Sequence, residues 1–296
     1  MRSLSARQCV RWPAIALAVV FATAGCRTGT SYLDPAGPRY SSAQDRVVAP
    51  AATDTLRIVT FNVAFARQVD SAIAVLTGEP ALRGADIVLL QEMDEAGTRR
   101  IAAALDASWV YYPAVRSNQT GRDFGNAVVT RWPIVDDAKV MLPHRAFLRR
   151  TQRIATAATI RYGGTCIRVY SAHLGTMLEI GGGARRDQLR AILDDAAPFT
   201  HVVIGGDMNS RDVGGEAVAR GYAWPTRDGP GTTALGRWDH LFMKGLVLAD
   251  SAATGTVRDV RGASDHRPVW LRAVPAPRTT GSPCCAAAAC GAADGT

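Results

Sequence analysis

Residues 202–209 read Val-Val-Ile-Gly-Gly-Asp-Met-Asn, an apolar run too short for a helix that ends in two glycines, an acid and an amide. A strand running into turn chemistry accounts for the spelling taken singly. The same grammar recurs along the chain. Leu56 to Val59 leads into Thr60-Phe61-Asn62, Ile87 to Leu90 into Gln91-Glu92, and Ile167 to Tyr170 into Ser171-Ala172-His173. Asp239-His240 and Ser264-Asp265-His266 each open an apolar strand instead of closing one. Together these ends are hard to explain as turns. Strands shared between a pair of sheets would bring the polar ends to one rim, with Glu92, Asp207, Asp239 and Asp265 in a single pocket.

The neighbouring segments supply the sheets. Strand-like runs fall at Leu56–Val63, Asp86–Gln91, Trp109–Ala114, Asn126–Thr130, Ile154–Ile160, Cys166–Ala172, His201–Gly205, His240–Met243 and Arg267–Val274. Apolar residues at helical spacing mark Val69–Leu76, Thr98–Leu105 and Arg185–Ala196. That many strands with helices inserted unevenly predict an α/β fold in which two packed sheets carry helices outside them, not one doubly wound parallel sheet. One domain is expected over residues 55–274. The sequence has no internal repeat, no Gly-rich phosphate loop and no Gly-x-Ser-x-Gly elbow.

Four carboxylates in one pocket cannot all stay ionised without large pKa shifts or a bound cation. Oxygen ligands, with no Cys pair and no His-x-x-x-His, favour Mg²⁺ or Mn²⁺ over Zn²⁺.

The two ends read differently from the domain. Arg2, Arg7 and Arg11 precede a short apolar stretch from Trp12 to about Thr23, which runs into Thr23-Ala24-Gly25-Cys26. These are the three regions of an export signal, and the apolar run is too short to span a bilayer. Its end resembles a bacterial lipobox, with Thr23 where Leu is most often found, so residues 1–26 are expected to act as a lipoprotein-type signal peptide with Cys26 lipidated. Lipidation would hold the protein in the cell envelope; ordinary secretion, with cleavage a few residues away and an unmodified Cys, is the alternative, and either way the protein is expected to be exported. Residues 27–54, rich in Ser, Thr, Pro, Ala and Gly, read as a flexible tether, and residues 275–296 as a disordered tail carrying Cys284, Cys285 and Cys290. Cys166 reads as a buried strand residue. The net charge of +8 falls to +5 without the three signal arginines, and the remaining arginines are scattered, so charge alone does not argue for a nucleic-acid partner.

Thr-Phe-Asn62, Leu-Leu-Gln91-Glu92, Phe124-Gly125-Asn126-Ala127, Ser-Ala-His173-Leu, Gly-Gly-Asp207-Met-Asn209, Trp-Asp239-His-Leu and Ser-Asp265-His266-Arg-Pro occur in this order between Leu56 and Leu271. The set resembles the endonuclease/exonuclease/phosphatase superfamily, whose folds are deoxyribonuclease-I-like. The resemblance implies a four-layer α/β/β/α sandwich and Mg²⁺-dependent hydrolysis of a phosphoric ester at one rim. It implies that Glu92, helped by Asn62, ligates the metal, with Asp265 a further metal or water contact. It also implies that Asp207 and Asn209 orient or deprotonate the attacking water, that Asp239 fixes the tautomer of a phosphate-contacting His266, and that His173 is a second phosphate contact or a general acid. Asn126 falls at the position abutting the substrate phosphate. Ala64 stands where some nucleases of the family carry an Asp near the metal, which puts a second metal in doubt.

The substrate stays open at this level. No stripe of aromatic and basic residues suits stacking single-stranded bases, and the expected membrane tether ranks a phospholipid headgroup or small phosphodiester above DNA. Arg145, Arg149, Arg150 and Arg153 are equally phosphate contacts or plain surface. An extracellular DNA endonuclease is the alternative, and a non-catalytic surface-binding module a second. A monomer is expected. His144 and His201 read as structural.

Overall fold

Short runs of Val, Ile and Leu that stay apolar at every position are what a strand needs when both of its faces are covered. A computed structural model, describing residues 29–42, 55–118 and 120–276, follows that rule in its central strands. In chain order the elements are β1 (Gly29–Ser31), β2 (Tyr40–Ser41), β3 (Leu56–Asn62), α1 (Val69–Gly78), β4 (Ile87–Met93), α2 (Glu95–Ala104), β5 (Ser108–Ser117), β6 (Asp123–Thr130), β7 (Ile134–Arg145), β8 (Gln152–Tyr162) and β9 (Thr165–His173). They continue with α3 (Gly182–Asp195), β10 (Val202–Asp207), α4 (Gly215–Ala219), β11 (Asp239–Lys244), β12 (Leu246–Leu248), β13 (Thr254–Thr256) and β14 (Val269–Pro275).

The strands form two mixed sheets. The nine-stranded sheet runs β1-β5-β6-β4-β3-β14-β12, with β13 on β14 and β2 on β5; the five-stranded sheet runs β11-β10-β9-β8-β7. β3 with β4 and β9 with β10 are the parallel pairs. Period-two alternation then divides the side chains into layers. Ile58, Leu89 and Val128 of the larger sheet meet Ile160, Val169 and Val203 of the smaller one in the central core. Their neighbours Val59, Phe61 and Leu90 face outward under Val75 and Leu76 of α1 and Ile101 of α2. On the opposite side Tyr170, Val202 and Ile204 lie beneath Leu189, Ile192 and Leu193 of α3. The expected four-layer α/β/β/α sandwich is therefore present. Among the described residues no helix is long and apolar enough to cross a membrane.

Three expectations need correction. Residues 29–42 are not a tether: β1 and β2 pair antiparallel with β5. Tyr32 Oη donates to Asp123 Oδ1 at 2.8 Å, Lys139 Nζ donates to the Tyr32 and Gly37 carbonyls, and Arg39 forms an ion pair with Asp137 at 2.6 Å. The edge of β5 offers unpaired backbone groups, so polar residues with no apolar period are held by main-chain bonds instead of burial. Residues 27–28 and 43–54 lie outside the described residues, as do the signal, Cys26 and the three tail cysteines. No strand-like run is read over residues 134–145, yet they form strand β7. This is a sheet edge with few buried positions, so its composition carries no alternation. Cys166 sits in β9 as expected, but half-buried and disulfide-bonded.

One close approach fixes β10 in place. A Cβ on Gly206 would lie 1.8 Å from the Ala172 carbonyl oxygen of β9. Gly206→Ala is therefore expected to lower the unfolding free energy by at least about 3 kcal/mol, read by urea denaturation, because either the β9–β10 pairing or the backbone must give way.

Candidate active site

Strand register assembles the centre of the site. Asp207, the last residue of β10, lies opposite Asp239 at the start of β11 and beside His173 at the end of parallel β9. His173 Nε2 is 3.4 Å from Asp207 Oδ2, and His266 Nε2 approaches the same oxygen at 3.7 Å from the other side. His266 Nδ1 is 2.8 Å from Asp239 Oδ2. His266 enters on the turn before β14, where Ser264 Oγ accepts the His266 N–H at 3.0 Å and donates to the Asn62 carbonyl at 2.7 Å. The turn after β10 is pinned likewise. The Asn209 N–H donates to Asp207 Oδ1 at 2.9 Å, and its side-chain amide donates to the Leu174 carbonyl at 3.0 Å. Asn209 thus acts on Asp207 through its backbone.

Glu92 comes from the other sheet. It sits where the β4–β6 register shifts, with a left-handed φ of 58°, so the bulge turns its side chain onto the rim. The Asn62 amide NH₂ donates to Glu92 Oε1 and to Asp207 Oδ2, both at 3.2 Å, while its Oδ1 accepts the Ala64 N–H at 3.1 Å. Ala64, Phe65 and Ala66 all take left-handed φ values, and the Phe65 N–H donates to Glu92 Oε2 at 3.1 Å. Such consecutive non-glycine residues cost about 1–2 kcal/mol each, which the packing around this turn must offset. Strained backbone at Glu92, Asn209 and the Ala64 turn thus borders one pocket, the pattern expected of a functional site.

Charge in the pocket is uneven. Burial, assisted by Asp239, pushes the Asp207 carboxyl up to about 7, and burial also raises Glu92. Burial opposes protonation of His266, but Asp239, bonded and charged, with Asp207 and Asp265, outweighs it and raises the imidazole to about 10. His173 goes the other way: burial, then the charges of Arg153 and His266, hold it well below 6.5 and keep it neutral. The site thus presents a cationic imidazole, a neutral one and unevenly compensated carboxylates.

Does this donor set fit a divalent cation? Among the described residues Asp207, Asp239 and His266 bring ligand atoms within 4.8 Å of one another. At that end the imidazolium already balances charge, although Asp239 Oδ1 is buried without a partner. Between Glu92 and Asp207, in contrast, stand only the Asn62 amide and the neutral His173 imidazole, 4.0 Å from Glu92 Oε1 and 3.4 Å from Asp207 Oδ2, and Asp265 adds negative field. Hard oxygen ligands whose charge is only partly compensated there fit Mg²⁺ or Mn²⁺.

The structure gathers Asn62, Glu92, His173, Asp207, Asn209, Asp239 and His266 at one rim. Asp265 is exposed beside them. Asn126 is buried, and its amide donates to the Ile154 carbonyl at 2.8 Å, which ties the two sheets together at the pocket's edge. His201 bonds the Ala276 carbonyl and His144 pairs with Asp187, both structural. The sequence alone assigns no role to Glu179, Ser264 or the ring of Phe124, and leaves Arg153 as one of four arginines that are equally phosphate contacts or surface. Arg153 Nη1 lies 3.1 Å from His173 Nδ1, its guanidinium is bonded to Glu179 Oε2 at 2.7 Å, and it sits over the Phe124 ring. Phe124 in turn stacks between His173 and Phe65.

The Arg153–Glu179 pair gives a stability signature. Burial opposes ionisation of Glu179, but Arg153 and the Thr176 N–H outweigh it and lower its pKa below 4.5. A depressed folded pKa means that the pair's contribution is complete above 4.5 and is lost as acidification carries the pH through the folded value. Glu179→Gln is expected to cost about 3 kcal/mol near neutral pH and to flatten the acid limb of a Tm-against-pH curve.

The family model described as endonuclease/exonuclease/phosphatase matches residues 59–266, a span that holds every rim residue named above. The chain belongs to the endonuclease/exonuclease/phosphatase family. Solved structures agree in fold. An endonuclease/exonuclease/phosphatase from Beutenbergia cavernae is 21% identical with a TM-score of 0.62, over 76% of this chain and 72% of that one. D. rerio TDP2 complexed with a single-strand DNA product is 16% identical with a TM-score of 0.57, over 75% and 99%. A mannosyl-6-phosphatase from Bacteroides thetaiotaomicron is 16% identical with a TM-score of 0.54, over 74% and 99%. No curated protein matches the chain by sequence. Members of this family are hydrolases that act on phosphoester bonds.

Proposed function

We propose that this protein is an exported, lipid-anchored phosphodiesterase that uses Mg²⁺ or Mn²⁺ to hydrolyse a phospholipid headgroup or a small phosphodiester. The observation that carries the reading is Asp207, held between a neutral His173 and a cationic His266 and facing Glu92 across Asn62. Glu92, with Asn62 and Asp265 beside it, would hold the cation, which supplies charge neutralisation at phosphorus when bound. Asp207, its pKa raised, accepts the proton of the attacking water. His266, fixed by Asp239, donates to the phosphate oxygens on which negative charge builds. The neutral His173 gives a further N–H donor, with Arg153 behind it supplying positive charge. Ser264 and Asn209 are positioning residues, since each bonds another member of the rim. Export and attachment through Cys26 rest on the signal-like N-terminus.

The test is a substrate panel under Mg²⁺ with and without chelator: bis(p-nitrophenyl) phosphate, phosphatidylcholine, sphingomyelin, an inositol phosphate and duplex DNA. Turnover of the small diester and a lipid is expected. Turnover of none defeats the enzymatic reading, and turnover of DNA alone selects the nuclease reading. Incorporation of labelled fatty acid in the native host, lost in Cys26→Ser, tests the anchor.

A further inference from the structure

Four large apolar side chains stand in solvent beside the rim: Phe147 is 71% exposed, Leu148 90%, Met177 60% and Leu178 89%. They come from two loops, the tip of the β7–β8 hairpin and the segment between β9 and α3. The loops are bonded into one unit. The Phe147 N–H donates to the Glu179 carbonyl at 2.9 Å, the Ala146 N–H to the Thr151 carbonyl at 2.9 Å, and Arg153 at the base of the hairpin binds the Glu179 carboxylate. Four apolar tips held on a braced support are not the singly scattered surface hydrophobics that most proteins carry. Their surroundings are cationic. Arg149 and Arg150 follow directly on the tip and are exposed, no Asp or Glu occurs from Ala138 to Leu178, and the next acid, Glu179, is engaged by Arg153.

We infer that this two-loop tip is a docking surface for an anionic phospholipid bilayer, with Leu148 and Leu178 entering the acyl boundary and Arg149 and Arg150 on the lipid phosphates. Convex aliphatic tips flanked by arginine suit a fluid interface, where apolar groups go inward while guanidinium groups stay at headgroup level. Nucleic acid offers arginine the same phosphates but gives four exposed aliphatic and aromatic tips nothing apolar to enter. Two further placements agree. Arg153 joins the tip to His173 and Phe124, so a surface held there lies next to the catalytic rim. The Gln152 N–H donates to Ser31 Oγ at 3.1 Å, so the first described strand, β1, leaves the domain beside the same hairpin. The inference names the surface on which the proposed phosphodiesterase works and rests on that reading for its purpose only, since binding is measured without turnover.

The experiment uses the full chain carrying Cys26→Ser, so that acylation contributes nothing, and vesicles of phosphatidylcholine with or without phosphatidylglycerol. Cosedimentation with the anionic vesicles is expected, weakened by salt. Leu148→Ser/Leu178→Ser should reduce the partition coefficient by at least about tenfold, and Arg149→Glu/Arg150→Glu should abolish the preference for phosphatidylglycerol. Both variants should hydrolyse soluble bis(p-nitrophenyl) phosphate at the parent's rate, which keeps a failure of docking distinct from a failure of the catalytic reading. In the parent, hydrogen exchange over residues 145–152 and 175–181 should slow when vesicles are added. Undiminished binding of the leucine variant, unprotected loops in vesicle-bound protein, or salt-sensitive binding of duplex DNA in place of vesicles would overturn the inference.

Discussion

His266→Ala is expected to lower kcat by about three orders of magnitude, the middle of the range for loss of a positioned proton donor. The ring does two things at once. Its Nδ1–H neutralises Asp239, and its Nε2–H points across Asp207 toward the pocket. Deleting it also leaves Asp239 buried with no partner on either oxygen, since Oδ1 already has none, so a stability loss of about 3–5 kcal/mol accompanies the kinetic one. Asp239→Asn separates the two effects. It keeps the shape but removes the charge that raises His266 to about 10, so the imidazole loses its proton nearer 6.5. Because the protonated ring is the active form, the alkaline limb of kcat/KM must move to lower pH in that variant. Full activity in His266→Ala, or an unmoved alkaline limb in Asp239→Asn, would contradict the role.

The second large effect is on the cation. Chelation is expected to abolish turnover and Mg²⁺ to restore it, while Glu92→Gln reduces kcat by about two to three orders of magnitude and raises the Mg²⁺ concentration needed. Binding has its own readout. A cation held at Glu92 would relieve a carboxylate that burial penalises, so Mg²⁺ should raise the Tm of the parent and leave that of Glu92→Gln almost unchanged. A Tm that ignores Mg²⁺, together with activity that survives chelation, would remove the cation from the site.

Most of the fold is legible in the sequence because the central strands are covered on both faces. β3, β4, β9 and β10 must be apolar at nearly every position, and the first polar residue after each run marks where cover ends. Those polar ends are the site, so strand pattern and chemistry are read from the same letters. The edges are silent for the converse reason. β1, β2 and β7 are held by main-chain bonds and ion pairs, which place few demands on side-chain type. Arg153 and Glu179 escape a sequence reading because 26 positions separate them and their importance arises only from mutual burial beside His173. The bulge at Glu92 and the left-handed turn at Ala64–Ala66 contain no glycine, so nothing in composition announces them.

β1 begins at Gly29, three residues after Cys26. Under the lipid-anchor reading, a fully extended chain between the acylated residue and the first hydrogen-bonded strand spans about 10 Å at most, little more than one headgroup layer. The order of residues 29–42 therefore sets a leash length. An enzyme on so short a leash cannot swing to a facing membrane or sample the space around its host. Anchored in that way, the protein would diffuse in two dimensions with one side always down, and its rate would depend on substrate per unit area of its own leaflet instead of on bulk concentration.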